Sequence, residues 1–470
     1  MTPRSFRLLG LFGAALLAVP AACGSSASDT STTVTPREAG ADVTTSEGGA
    51  VALDSGTDDA TTTTEDAGVD AAPLKTPIKH VVVIVKENHT FDNFFGSFPG
   101  AEGTTTCHSK EQGDFPCPQA PDKPHDLCHS HECALDDWNG GAMDGFDKSK
   151  GNYSDNLAYA QYKEQDIPNY WAYARHFGLG DHFFANTLGP SFPGHMFVLA
   201  AQAGWAVGNP PTDIGAFPPK VHPFWGCDNA PGDTCPVMDQ TSCSIVGKFP
   251  CFDIPSIPDV LPPGVDWKFY GSNWYLLTEI WSMFDGIKSI RNGPGWANVV
   301  HYDNFEKDID QGTLPAVSWL VNQDLGDEHP GFGISLCKGE NWTVTRINKL
   351  MQSQYWKDTV ILFTMDDFGG WYDHVPPPRQ YGCSTTQPYG LGFRLPLLII
   401  SPYVKPHSIF SEVAEQASIP RFIEKIFGAT KTLADIDPAA QDKQANDLMN
   451  AFDWNQTPLS PVILNTRTCP

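Results

Sequence analysis

The chain has 470 residues, enough for one large domain or two medium ones. Its 30 basic and 55 acidic residues give a formal charge of −25, which argues against nucleic acid as a partner, because phosphate backbones are held by positive fields. With 13 Trp and 28 Phe it can bury a sizeable core.

The chain opens MTPRSFRLLGLFGAALLAVPAACGSS. Arg4 and Arg7 make a basic end, residues 8–19 are apolar but too short to span a bilayer comfortably, and Ala21-Ala22 suit cleavage. Residues 1–22 therefore read as an export signal peptide. Cys23 before Gly-Ser-Ser looks like a lipid-anchor cysteine, with ordinary cleavage near Ala22 as the alternative. The expected location is outside the cytoplasm, as a cell-surface or outer-membrane lipoprotein or as a periplasmic or secreted protein. No later stretch is long and apolar enough for a transmembrane helix in the mature chain.

Residues 23–74 are rich in Ser, Thr, Ala and Gly and hold no aromatic residue, and within them ten acids stand against Arg37 alone. Such a segment buries too little surface to offset its ordering entropy, so it reads as a disordered acidic linker. Residues 75–470 are the folded domain.

That domain starts with IKHVVVIVK, a continuous apolar run of strand length, and TLPAVSWLV (313–321), DTVILFTM (358–365) and LPLLIIS (395–401) are three more. Fully apolar strands imply a sheet covered on both faces, usually parallel. Between the second and third runs, Val344, Ile347, Leu350, Met351 and Tyr355 fall at helical spacing, which makes a strand–helix–strand unit. EVAEQASIPRFIEKIFG predicts a late helix ending at Gly428. Residues 101–160 and 205–300, rich in Cys, Pro, Gly and Trp, read as insertions forming a cap. In an exported chain the twelve cysteines point to disulfides, with zinc as the rival reading for Cys107/Cys117/Cys128/Cys133 and Cys227/Cys235/Cys243/Cys251. Without Cys23 eleven remain, so one is left over.

Chemistry-bearing residues gather where strands end. Glu87 and Asn88 follow the first run, and Asp366 and Asp367 follow the third. In a parallel sheet those ends share one edge, where α/β proteins place their sites. Three carboxylates and an amide suit one hard divalent cation, with Ca, Mg or Mn favoured and Zn admitted. The bland reading is a polar turn and a helix cap. Ser191 lies between Gly189-Pro190 and Pro193-Gly194, which could present its hydroxyl at a helix start. A cation beside that hydroxyl would make it nucleophilic; the plain alternative is a turn serine. His125, His129 and His131 cluster, and His329 follows the second apolar run. Imidazoles beside a phosphate would contact its oxygens or protonate a leaving group. His89 and Asp92 are expected to be structural, and His374 to brace the metal loop.

HVVVIVKENHTFDNFFGSFPG, DLCHSHECALDDWNGGAMDGF, YARHFGLGDHFFANTLGPSFPGH, DEHP, FTMDDFGGWYDHVPPP and GFRLPLLIISPYVKP occur in the order seen in the bacterial phosphoesterase family, which this chain resembles. That family holds non-specific phospholipases C and acid phosphatases and is similar in fold to alkaline phosphatases. The resemblance implies a three-layer α/β sandwich with a mostly parallel central sheet. It implies metal ligands Glu87, Asn88, Asp366, Asp367 and Ser191, with Ser191 as nucleophile and His129 and His329 on the phosphoryl group. Many members have Thr at the place of Ser191 and Asn at the place of Gly194, while Ser191 and Asp367 fit the acid-phosphatase branch. The expected function is an exported, metal-dependent phosphatase working through phosphoserine. The alternatives are a phospholipase C acting on phospholipid head-group diesters and, from another class, a non-catalytic surface binding protein.

Overall fold

A computed structural model describes residues 75–148, 155–211, 225–271, 282–322, 326–383 and 388–470. The stretches read above as signal peptide and linker, and Cys23, lie outside the described residues.

Eight strands form the central sheet: β1 His80–Lys86, β2 Gly178–Gly180, β3 Trp267–Gly271, β4 Val299–His301, β5 Val317–Val321, β6 Thr359–Met365, β7 Leu397–Ile400 and β8 Ser408–Phe410. Their spatial order is β8-β2-β7-β6-β1-β5-β3-β4. β1 lies at the centre, parallel to β5 on one side and to β6 on the other. Val81 to Val85 are at most 1% exposed, which explains the unbroken apolar run: both faces of β1 are covered. Each such side chain contributes on the order of 1.5–3 kcal/mol of burial.

The main helices are α1 Phe91–Phe95, α2 His131–Trp138, α3 Pro168–His176, α4 Ser191–Ala200, α5 Asp303–Gln311, α6 Leu336–Met351 and α7 Ser418–Phe427. Strand register assigns them to faces. Val83 pairs with Trp319 and Trp319 with Phe269, so these share one face, and Trp319 Nε1 donates to the Val198 carbonyl of α4 at 3.2 Å. On the other face, Phe363 meets Tyr170 of α3 at 4.8 Å between rings and Tyr270 meets Phe305 of α5 at 5.4 Å. The result is the three-layer α/β sandwich expected. α7 ends at Gly428, whose φ of 67° is the left-handed cap that glycine adopts freely.

Two readings need correction. β7 runs antiparallel to β6 and β2, whereas its apolar run suggested a parallel strand. A strand buried on both faces carries no sequence mark of its direction. β3 also lies within 205–300, taken above as insertion, and β4 straddles the end of that stretch. WKFYG mixes polar with apolar residues because it lies next to the sheet edge, so it shows no continuous run. Disulfides join Cys107–Cys117, Cys128–Cys133, Cys227–Cys251 and Cys337–Cys469, which rules out a zinc site for the first group.

Candidate active site

Lys86 and Met365 are register partners, so the residues after β1 and β6 emerge side by side. The Asp366 N–H donates to the Lys86 carbonyl at 2.9 Å, and the Glu87 N–H to the Asp327 carbonyl at 3.0 Å. Glu87, Asn88, Asp366 and Asp367, drawn from opposite ends of the domain, therefore converge and are buried. Behind them Lys86 Nζ pairs with Glu328 Oε1 at 3.4 Å, which ties the loop carrying His329 to β1.

Ser191 is the first residue of α4, and its Oγ donates to Asp367 Oδ2 at 3.0 Å. His195, one turn later, presents Nε2 to Glu87 Oε1 at 2.9 Å and to Asp366 Oδ2 at 3.7 Å. Sequence reasoning did not assign His195 a role. The available signal was its i+4 spacing from Ser191, which puts both side chains on one face of a helix.

The two expected phosphoryl-contact histidines sit across from the serine, with ring centroids 5.7 Å apart. His129 Nδ1 donates to the Leu127 carbonyl at 2.7 Å and His329 Nδ1 to the Pro330 carbonyl at 2.6 Å. A carbonyl only accepts, so each Nδ1 carries a proton, and a protonated ring presents a second N–H, at Nε2, to the site. Burial disfavours the charged form of both. For His129, Asp367 and Asp126 outweigh burial and raise its pKa, while His329 stays below its ordinary value.

Asn88 links the histidines to the carboxylates. Its side-chain NH2 donates to the two Asp366 oxygens at 3.0 and 3.1 Å, and its amide oxygen accepts from His329 Nε2 at 3.0 Å. Burial, followed by the neighbouring Asp366, pushes Glu87 and Asp367 well above the usual carboxylate range. Glu87 Oε2 is buried without a hydrogen-bond donor. A divalent cation would satisfy the carboxylate oxygens at once, and its two charges would replace two protons. Glu87, Asn88, Asp366 and Asp367 thus fit the expected metal site, and Glu87, His195 and Asp366 offer ligand atoms within 4.8 Å of one another.

The remaining candidates are placed elsewhere. His125 pairs with Asp155 at 2.9 Å near the surface. His89 is buried, bonds Asn93 at 2.8 Å and stacks on Trp371, and burial lowers its pKa to about 3, as befits a structural residue. His374 bonds Asp92 at 2.6 Å, and both join the fully buried Arg394, which holds Asp373 at 2.8 Å. This network braces the α1 segment that follows Asn88.

A buried serine at a helix start, a cluster of buried carboxylates and two facing imidazoles gather at one edge of a three-layer sandwich. The Phosphoesterase family model matches residues 78–430, and the chain belongs to that family. It is similar to the Hemolytic phospholipase C of Pseudomonas aeruginosa, at 25% identity over 83% of this chain and 58% of that protein. It is also similar to Phospholipase C A of Mycobacterium tuberculosis, at 26% identity over 82% and 79%. A third relative is Non-specific phospholipase C5 of Arabidopsis thaliana, at 25% identity over 75% and 70%. Among solved structures, one from Vibrio parahaemolyticus described as in the alkaline phosphatase superfamily aligns at 12% identity and TM-score 0.35, over 76% of this chain and 68% of that one.

Proposed function

We propose that residues 75–470 are the catalytic domain of an exported phosphatase that cleaves phosphate monoesters by transfer to Ser191. The observation that carries this reading is the hydroxyl of Ser191, held 3.0 Å from Asp367 Oδ2 at the first turn of α4 and beside the cation-ready oxygens. Glu87, Asn88, Asp366 and Asp367 would hold one divalent cation next to Ser191 Oγ, and the cation would stabilise negative charge on that oxygen and on the phosphoryl group.

Ser191 Oγ attacks phosphorus in line and loses its proton toward Asp367 Oδ2, the acceptor it already faces. The first N–H groups of α4 favour the anionic phosphoryl group. In their protonated form His129 and His329 donate from Nε2 to its oxygens, and one of them protonates the departing alcohol. Water then attacks the phosphoserine and releases phosphate. Fixed charges and donors supply most of the rate. Four disulfides suit an oxidising compartment.

The relatives' printed names favour a second reading, a phospholipase C acting on head-group diesters with the same residues. One experiment separates the two. The chain, supplied with divalent cation, is given para-nitrophenyl phosphate and para-nitrophenyl phosphorylcholine, with and without chelator. Chelator-sensitive release from the monoester is expected, and release mainly from the choline diester would establish the second reading. Ser191→Ala should lower turnover by at least ~10³-fold with metal content unchanged. Full activity in that variant would remove Ser191 from the mechanism, and no release from either ester would favour the non-catalytic binding protein.

A further inference from the structure

A cleft beside the nucleophile contains a polar group that the mechanism above does not use. His131 opens α2 and is 4% exposed. Its Nδ1 bonds the Leu188 carbonyl and so carries the ring proton. Nε2 is then an acceptor, and it is buried and bonded to no group of the protein. The ring lines a cleft of about 330 Å³ together with His129, Pro190, Asn209 and Pro236. Pro190 precedes the nucleophile, so the cleft adjoins the place of the phosphorus atom. A buried polar atom without a partner is costly, and a ligand that supplies one binds the better for it.

We infer that His131 Nε2 accepts a hydrogen bond from a hydroxyl on the organic substituent of the ester, and that the cleft selects small hydroxylated substituents of the glycerol type. This rests on the phosphoesterase reading of the site. The cleft, formed by described residues, is at the small end of ligand sites, which run from about 300 to 1,000 Å³. That volume suits a three-carbon polyol.

The test compares sn-glycerol 3-phosphate with n-propyl phosphate, which has the same carbon chain without hydroxyls. With the metal-loaded full chain, kcat/KM is expected to favour the glycerol ester by about 3- to 10-fold, the scale of one neutral hydrogen bond. His131→Asn keeps a nitrogen near the Nδ1 position for Leu188 and deletes Nε2. It should raise KM for the glycerol ester to that of the propyl ester and leave the propyl ester unchanged. His131→Gln, which reaches toward the Nε2 position, should restore part of the preference. Equal wild-type rates on the two esters, turnover of para-nitrophenyl phosphate alone, or an equal loss on both in His131→Asn would overturn the inference. No turnover of any phosphate by the wild type would overturn the phosphoesterase reading and this inference with it.

A separate observation concerns the hairpin that walls this cleft. Strands Cys235–Met238 and Ile245–Lys248 form it, and the Val207 N–H donates to its Pro236 carbonyl at 3.0 Å. Cys243 in its turn and Cys383, at the end of strand Gln380–Cys383, converge on one group: the Cys243 N–H donates to the Asp239 carbonyl at 2.8 Å, and Cys383 Sγ lies 3.7 Å from the same oxygen. Both residues have left-handed backbones, φ 54° and 68°, unusual for side chains of this type. We propose that Cys243 and Cys383 form a fifth disulfide that staples the cleft wall. The two thiols reduce one external disulfide, which leaves as two thiols carrying their protons. Cys235, fully buried, then remains as the leftover thiol. The full chain is treated with oxidised glutathione, alkylated without reduction, unfolded, alkylated again with a second reagent and digested. A linked Cys243–Cys383 peptide is expected, with Cys235 labelled only after unfolding. Alkylation of both Cys243 and Cys383, or either one linked elsewhere, would overturn it.

Discussion

Gly194 lies so close to Asp366 that a β-carbon at position 194 would stand 2.0 Å from the Asp366 carbonyl oxygen. That approach lets α4 seat its first turn on the end of β6, so that Ser191 reaches Asp367. Gln416 Nε2 donates to the same carbonyl at 2.5 Å and would itself lie 3.3 Å from that β-carbon, so the site is crowded. Gly194→Ala should therefore cost at least about 1–3 kcal/mol, as overpacking does, and should displace the nucleophile. Urea unfolding and turnover should both fall; unchanged values for both would mean that α4 shifts without penalty.

A cation held by the three buried carboxylates would make stability depend on metal. Asp367→Asn keeps an oxygen for the Gly369 N–H, 2.6 Å away, and removes the carboxyl that burial and Asp366 hold well above its usual range. In chelator the variant should melt above wild type by roughly 1–3 °C, the scale of about 1 kcal/mol in a domain of this size. Added divalent cation should raise the wild-type Tm and leave the variant's almost unchanged. A variant that melts lower in chelator would mean that the cluster is not repulsive.

Arg394 neutralises Asp92 and Asp373 away from water, at 3.1 and 2.8 Å. Arg394→Met leaves two buried carboxylates without their cation and should destabilise by about 3–5 kcal/mol. Denaturant titration checks this. A loss below 1 kcal/mol, about the value of a surface pair, would contradict the buried network.

Burial, followed by the nearby Asp442, pushes Glu424 up to about 8. In an unfolded chain it titrates near 4.3. Between those values the folded state binds the extra proton, so this contribution to stability is complete below about pH 4 and is lost as pH rises toward about 8. Glu424→Gln keeps an oxygen for the Leu433 N–H, now accepted at 2.8 Å, and removes the titration. Its Tm should gain on wild type from pH 5 to pH 8. A constant difference across that range would assign the slope to other groups.

Continuous apolar runs made β1, β5 and β6 legible, and polar residues directly after such runs made Glu87, Asn88, Asp366 and Asp367 legible. Ser191 stood out through its Gly-Pro bracket. His195 did not, because its role depends on which face α4 turns to Glu87, and that is decided by the contact at Gly194. β2 and β4 have three residues each, too few for any periodicity. The bond between Cys337 and Cys469 spans 132 positions and follows from tertiary path alone. Asn88 looked like one ligand among four. Only the structure shows that its amide joins Asp366 to His329.

The central position of β1 also sets an order of assembly. Val81 pairs with Val317 and with Val360, so its neighbours lie 317 − 81 = 236 and 360 − 81 = 279 positions downstream. Contacts this distant in sequence are slow to form, because loop-closure entropy is lost before they reward the chain. Until then VVVIV has two bare edges and no charge, the composition that pairs with copies of itself. The chain therefore depends on its most aggregation-prone segment being shielded while it folds, and activity appears only when the last of these pairings closes.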